Sequence, residues 1–154
     1  MYFITKDNKY LSYDELTATF EFNGDIIIND DVEITMGLVI ENPLPEIGGI
    51  VVPKLRINGC VVAKSLSCDV DVEIAGEVTI SDGNVSVRKG ISVARSLTIN
   101  HGNLIAGGKV SVIDAIDIQG KLIVEPFKTT TNAVTIIASK INVTEGIRVC
   151  ENFN

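Results

Sequence analysis

The sequence predicts an all-β fold: a single-stranded, three-sided parallel β-solenoid, or β-helix, of about six to seven coils. Three observations predict it. The stretch from Val72 to Val124 nearly repeats itself every nineteen residues, each repeat holds three apolar-x-apolar triplets, and glycine recurs at one of the turns between them. A period of this length is typical of architectures whose turns stack, because a single turn cannot bury its own apolar face.

The triplets predict short strands. An alternating pattern has a period of two, so both flanking side chains of a triplet point to one face and the middle one points away. In the central repeats the first column is Val72/Ile74, Ile91/Val93 and Val110/Val112, the second is Val78/Ile80, Leu97/Ile99 and Ile116/Ile118, and the third is Val85/Val87, Leu104/Ala106 and Leu122/Val124.

The same columns are expected to continue towards both ends of the chain. Towards the N-terminus we assign Leu55/Ile57 and Val32/Ile34 to the first column, Val61/Ala63, Leu38/Ile40 and Phe20/Phe22 to the second, and Leu66/Cys68, Ile50/Val52 and Ile26/Ile28 to the third. Towards the C-terminus we assign Val134/Ile136, Ile141/Val143 and Ile147/Val149 to the three columns in order.

Glycines mark the predicted corner between the second and third columns. Glycine suits a sharp corner because it takes positive φ without a Cβ clash. The predicted corner glycines are Gly24, Gly49 (beside Gly48), Gly83, Gly102, Gly120 and Gly146.

The chain is expected to divide into a cap, a solenoid and a short tail. Residues 1–19 break the period and are predicted to be a cap, with a short strand and turn before a one-turn helix. Ser12 and Glu15 form a capping box for that helix, which we expect to end near Thr17. The solenoid covers 20–150, with loop insertions at 42–49 and 125–133, and the tail is 151–154.

Our expectations about the cellular compartment and about cofactors are based on features that the sequence lacks. No basic segment followed by a long apolar run opens the chain, and no apolar stretch approaches a membrane span. The three cysteines do not form a disulfide framework, and Cys68 occupies an inward position. We therefore expect a cytoplasmic protein with no membrane insertion, no metal and no cofactor.

Acidic residues are concentrated in the N-terminal third. Residues 1–53 hold ten acidic side chains against two lysines, a balance of minus eight, whereas residues 54–154 are nearly neutral. Such a field repels nucleic acid and attracts a basic protein. The alternative is a solvated surface that keeps the rod soluble. The candidate partner-binding cluster is Glu21, Asp25, Asp30, Asp31 and Glu33.

Self-association has two candidate surfaces. Ile105 and Ile123 are middle residues of neighbouring third-column triplets, so both are expected to be exposed and adjacent. The last coil would leave an open strand edge at the C-terminus, and Phe153 is a candidate self-association residue there. The alternative there is that Phe153 folds back over the edge.

The sequence gives little support to an enzymatic function. His101 is the only histidine, and it lies at a corner of a convex rod, whereas a general base needs a cleft. Units of about six residues invite comparison with hexapeptide-repeat acyltransferases. The residue after each triplet varies here, however, as in Thr35, Asn58 and Ala75. No catalytic residue is predicted.

The chain resembles the bactofilins, bacterial cytoskeletal proteins with a triangular right-handed β-helix that polymerise end to end without nucleotide. The resemblance covers about Phe20 to Val149 and lies in the short coil, the aliphatic ladders and corner glycines such as Gly83, Gly102 and Gly120. It implies a right-handed coil and a structural role.

The sequence therefore leaves three hypotheses about function. The first is a non-enzymatic scaffold or interaction protein that associates with itself through the C-terminal edge or an outer face. The second is a small acidic antagonist, such as an immunity protein or a nucleic-acid mimic, that binds a basic protein. The third, and weakest, is a hexapeptide-like acyltransferase.

Overall fold

The computed structural model describes residues 1–14, 16–37, 40–41, 50–51, 54–125 and 136–149, and for 40–41 and 50–51 only the backbone. Over these residues the chain is all-β, without a helix. Its strands form three parallel stacks of seven, seven and six strands, which confirms the predicted three-sided β-solenoid.

Six turns of three strands make up the rod, with two strands before them and a hairpin after the first turn. The leading strands are β1 (Tyr2–Thr5) and β2 (Leu11–Asp14). The first turn and the hairpin are β3 (Thr19–Asn23), β4 (Ile26–Ile27), β5 (Asp31–Thr35), β6 (Ile40–Glu41) and β7 (Ile50–Val51). The second and third turns are β8 (Lys54–Asn58), β9 (Val61–Ala63), β10 (Ser65–Cys68), β11 (Asp71–Ile74), β12 (Val78–Ile80) and β13 (Val85–Val87). The last three turns are β14 (Ile91–Val93), β15 (Leu97–Ile99), β16 (Leu104–Ala106), β17 (Val110–Val112), β18 (Ala115–Ile118), β19 (Leu122–Val124), β20 (Ile136–Ile137), β21 (Lys140–Val143) and β22 (Ile147–Val149).

Each face of the rod is one stack of strands. The first face stacks β2, β3, β8, β11, β14, β17 and β20, the second β4, β9, β12, β15, β18 and β21, and the third β1, β5, β10, β13, β16, β19 and β22. Neighbouring strands within these faces are parallel except β2 and β3, which are antiparallel.

The core is a column of aliphatic side chains along the axis. The flanking residues of the central triplets are buried, as Ile57, Val78 and Ile99 illustrate with no exposed surface. Among the described residues no polar or charged side chain is buried. Each large aliphatic side chain removed from water contributes on the order of 1.5–3 kcal/mol, so stacking the turns is what stabilises the fold.

The predicted register is confirmed through the central turns. Val72 pairs with Ile91 and Ile91 with Val110 on the first face. The second and third columns are likewise in register from Val61 to Ile118 and from Leu66 to Val124.

The predicted columns of the first turn are wrong by one face. Phe20 pairs with Leu55 on the first face, Ile26 with Val61 on the second, and Val32 with Leu66 on the third. These triplets were each expected one column away. The difference arises because the sequence contains two further triplets, Leu38/Ile40 and Ile50/Val52, between this turn and Leu55, and counting them shifts the earlier triplets by one column.

Those two triplets are not part of the solenoid. Ile40 pairs with Val51 and Glu41 with Ile50 in an antiparallel two-stranded sheet of their own. Leu38, Val52 and the predicted loop 42–49 lie outside the described residues. The insertion is therefore longer than predicted, and a hairpin strand has the same period of two as a solenoid strand.

The predicted helix of the cap is also wrong. Ser12 lies in β2, which pairs antiparallel with β3, and residues 16–18 form a turn. Glu15 is outside the described residues. β1, expected in the cap, stacks in full parallel register on β5, and its Ile4 is buried in the core. The third face therefore begins at Tyr2.

Two smaller differences concern the last turn and the corners. Ile136 pairs with Val110, so the first-face strand is Ile136–Ile137 and not the triplet from Val134. Gly83, Gly102, Gly120 and Gly146 lie at the corner between the second and third faces as predicted, whereas Gly24 lies between the first and second. Gly49 and residues 126–133 of the second insertion are outside the described residues.

Candidate interaction surfaces

The predicted apolar pair on the third face is brought together. Ile105 of β16 is in register with Ile123 of β19, and both side chains point outward and are half-buried. Their neighbours in the same row are Ser86 and Arg148. The apolar patch is thus two residues wide, and Phe153 lies outside the described residues.

An open groove of about 490 Å³ runs along the third face beside this pair. Its lining includes the small outward residues Ser67 and Ser86, which are in register on neighbouring strands. Its lining also includes Asp69, Arg88 and Glu125. The surface next to Ile105 is therefore polar and carries charges of both signs.

The predicted acidic cluster is spread around the first turn. Glu21 points outward from the first face, and Asp25 lies at the corner before the second. Asp30 lies at the corner before the third face, Asp31 begins β5 on that face, and Glu33 points outward from it. The five carboxylates form a ring around the rod rather than a single patch.

Most of these carboxylates bind neighbouring parts of the chain. Asp25 Oδ1 accepts the N–H of Cys60 at 2.7 Å, and Asp31 Oδ1 accepts the Ser65 hydroxyl at 2.8 Å. Both bonds join the first turn to the second. Asp30 accepts the Met1 amino group and the Asp31 N–H, and these bonds lower the pKa of Asp30 below its ordinary value.

A side-chain oxygen also accepts a backbone N–H of the next turn at later corners. Asn84 Oδ1 accepts the N–H of Asn103 at 2.9 Å, and Asn103 Oδ1 accepts the N–H of Lys121 at 2.8 Å. The sequence reasoning did not identify these asparagines. The available signal was the Gly-Asp or Gly-Asn dipeptide that begins at Gly24, Gly83 and Gly102.

The C-terminal turn has an exposed interior. The inward side chains of Ile141, Ile147 and Val149 are 40%, 49% and 44% exposed, whereas Ile116, Leu122 and Val124 one turn earlier are fully buried. Among the strands that the structure describes, β20, β21 and β22 each pair on one side only.

Backbone groups at this end are also open. In the preceding turns the inward residues donate their N–H towards the next turn, as Val78 does to Ser96 and Leu104 to Lys121. The corresponding N–H groups of Ile141 and Ile147 therefore point away from the rod. The C-terminal end therefore exposes apolar side chains and backbone N–H groups on the same surface.

The residues considered for chemistry are dispersed. His101 is exposed at the corner before β16. Burial raises the pKa of the Cys68 thiol to about 12, and its S–H donates to the Val70 carbonyl. Within the described part of the chain, no three His, Cys, Asp or Glu side chains lie close enough to hold a metal ion. The described residues contain no helix, and so no helix that could span a bilayer.

Comparisons of the chain with protein-family models, with curated proteins and with solved structures find no match. The resemblance to bactofilins stays a prediction.

Proposed function

We propose that this protein is a non-enzymatic β-solenoid scaffold that associates with further copies of itself through the C-terminal edge. The observation that supports this proposal is the exposed interior of the last described turn at Ile141, Ile147 and Val149. An unpaired edge of this kind is a template for strand pairing with another chain.

The two ends of the rod differ in a way that favours pairing of like ends. At the N-terminal end the inward side chain of Ile4 in β1 is buried, whereas the inward side chains of Ile141, Ile147 and Val149 at the C-terminal end are exposed. The C-terminal edge of a second copy supplies three strands at one level, which matches the edge of the first copy about a two-fold axis. Ile105 and Ile123 then provide a smaller lateral contact between rods.

Size-exclusion chromatography with light scattering over a range of protein concentrations tests the proposal. We expect the mass to rise with concentration, and the double variant Ile141→Lys/Ile147→Lys to remain monomeric. Val62→Lys is the matched control, because Val62 is 39% exposed on the outer side of the second turn, away from the edge. A wild-type monomer at every concentration would contradict the proposal.

A second candidate is the acidic antagonist of a basic protein, which the charge of the N-terminal third favours. The hydrogen bonds of Asp25 and Asp31 to the second turn give those carboxylates a structural role as well. Pull-down of a basic partner that is lost when Asp25, Asp30, Asp31 and Glu33 become Asn or Gln would support this candidate. Retained binding would dismiss it.

A further inference from the structure

The second face of the rod begins one strand later than the other two. β5 is covered by β1 and β3 by β2, but in the described part of the chain β4 pairs only with β9. A cleft of about 270 Å³ lies beside β4. Tyr2 and Tyr10 line it together with Phe22 and residues 26–28. We call this cleft the β4 notch.

Backbone groups of Ile27 point into the notch. Ile26 and Ile28 donate their N–H groups to the carbonyls of Cys60 and Val62, at 2.8 and 2.9 Å, in the second turn. Successive residues of a parallel strand direct their N–H and C=O groups to opposite sides. The N–H and C=O of Ile27 therefore face away from β9, and the Ile27 side chain is 69% exposed.

We propose that the β4 notch binds one extended segment of a partner protein, added to the second face as its missing first strand. Such a segment would bond the N–H and C=O of Ile27, as in other cases of β-strand addition. Its inward side chains would be apolar, since aromatic and aliphatic side chains, among them Tyr10, Phe22 and Ile26, line the notch.

The shape of the notch selects a single segment over a second copy of the rod. β1 and β2 stand one strand spacing above β4 on the neighbouring faces, roughly 4.8 Å. The C-terminal turn of another copy has strands on all three faces, so it would meet β1 and β2 before it reached β4. This contact is separate from the proposed edge association.

Charge specifies the ends of the segment. Asp25 lines the notch just before β4, and Asp31 lies at the start of β5, beyond the other end of β4. The neighbouring Asp30 is already paired with the Met1 amino group. Lys9 is stacked over the Tyr10 ring, 5.0 Å from its centroid. Carboxylates on both sides favour Lys or Arg flanking an apolar-x-apolar triplet.

A blocked peptide with the sequence Lys-Val-Thr-Val-Lys tests the proposal, with binding followed by amide NMR shifts of the full chain. We expect saturable shifts at Ile26–Ile28 and Tyr10. The control peptide carries N-methyl groups on the amides that would face β4 and should bind at least tenfold more weakly. Replacing both lysines by glutamate should weaken binding as well.

Two protein variants separate the backbone of Ile27 from its side chain. Ile27→Pro removes the N–H that faces the notch, at an edge position where proline is tolerated, and should abolish binding. Ile27→Thr keeps the N–H and should bind as the wild type does. If Ile27→Pro does not fold, the N-methyl comparison on the wild type decides.

Several results would overturn the proposal. They are absence of shifts at millimolar peptide, equal binding of the N-methylated peptide, or shifts at Ile27 that depend on protein concentration alone and so indicate a second copy. Repeating the titration on Ile141→Lys/Ile147→Lys keeps the outcome independent of edge association.

Discussion

A Cβ atom on Gly102 would overlap the carbonyl oxygen of Gly83 in the preceding turn. Gly120 stands in the same relation to Gly102. The backbones are drawn together at this corner by hydrogen bonds such as that from Gly83 N–H to the His101 carbonyl at 2.8 Å. Glycine is therefore required here for the close approach of successive turns, in addition to the tight corner expected from the sequence.

Gly102→Ala should lower the free energy of unfolding by about 3 kcal/mol, because backbone must move to admit the methyl group. Gly146→Ala is the matched control at the same corner. Gly146 has φ of +106° but open space where its Cβ would be, so we expect a loss of about 1 kcal/mol. Urea denaturation measures both, and equal losses would contradict the close-approach account.

Asn103→Ala should reduce stability by about 1 kcal/mol, because the N–H of Lys121 loses its acceptor. Asn103→Asp retains an oxygen at that position and should unfold within a few tenths of a kcal/mol of the wild type. Thermal unfolding of the two variants makes the comparison. Equal destabilisation by both would indicate that the hydrogen bond is unimportant.

Ile99→Ala should cost about 2–5 kcal/mol, since Ile99 is fully buried between neighbouring turns. The same substitution at Ile147, whose side chain is half-exposed in the last turn, should cost less than about 1 kcal/mol in the monomer. Denaturant titrations at low protein concentration measure the difference. A similar cost at the two sites would refute the gradient of burial along the rod.

Cys68 should make stability fall at alkaline pH. Burial raises the thiol pKa from 9.0 to about 12 in the folded chain, so above pH 9 the unfolded state loses its proton first. The contribution of the protonated Cys68 thiol to the free energy of unfolding is present below pH 9 and is lost as pH rises towards 12. Cys68→Val, which cannot ionise, should show a shallower decline.

Thiol labelling at pH 8 provides an independent check. Residue-specific mass spectrometry should find Cys68 protected and the partly exposed Cys60 labelled in the folded protein. Labelling of both at one rate, or identical alkaline declines of wild type and Cys68→Val, would contradict the buried-thiol account.

The sequence predicts the central turns well because every triplet there has the same length and no insertion. From Val72 to Val124 the spacing is nineteen residues, or eighteen between Leu104 and Leu122, and it leaves one consistent register, which the structure has. The buried position of Cys68 and the adjacency of Ile105 and Ile123 follow from that register.

The sequence predicts the ends poorly for one physical reason. Alternation records which side chains share a face of a strand but not which neighbour the strand pairs with. The hairpin strands at Ile40 and Ile50 therefore resembled solenoid strands, and a slip of two residues at Ile136 left the pattern unchanged. The β4 notch depends on the route of β1 and β2, which no triplet pattern reveals.

Hydrogen exchange at the backbone amides of Ile141 and Ile147 tests the proposed scaffold most directly. In dilute protein these amides should exchange rapidly, whereas those of Val78 and Leu104, bonded to the next turn, should be protected. At high concentration the account predicts that Ile141 and Ile147 become protected as edges pair. Rapid exchange at every concentration, or protection that is already complete in the dilute monomer, would contradict it.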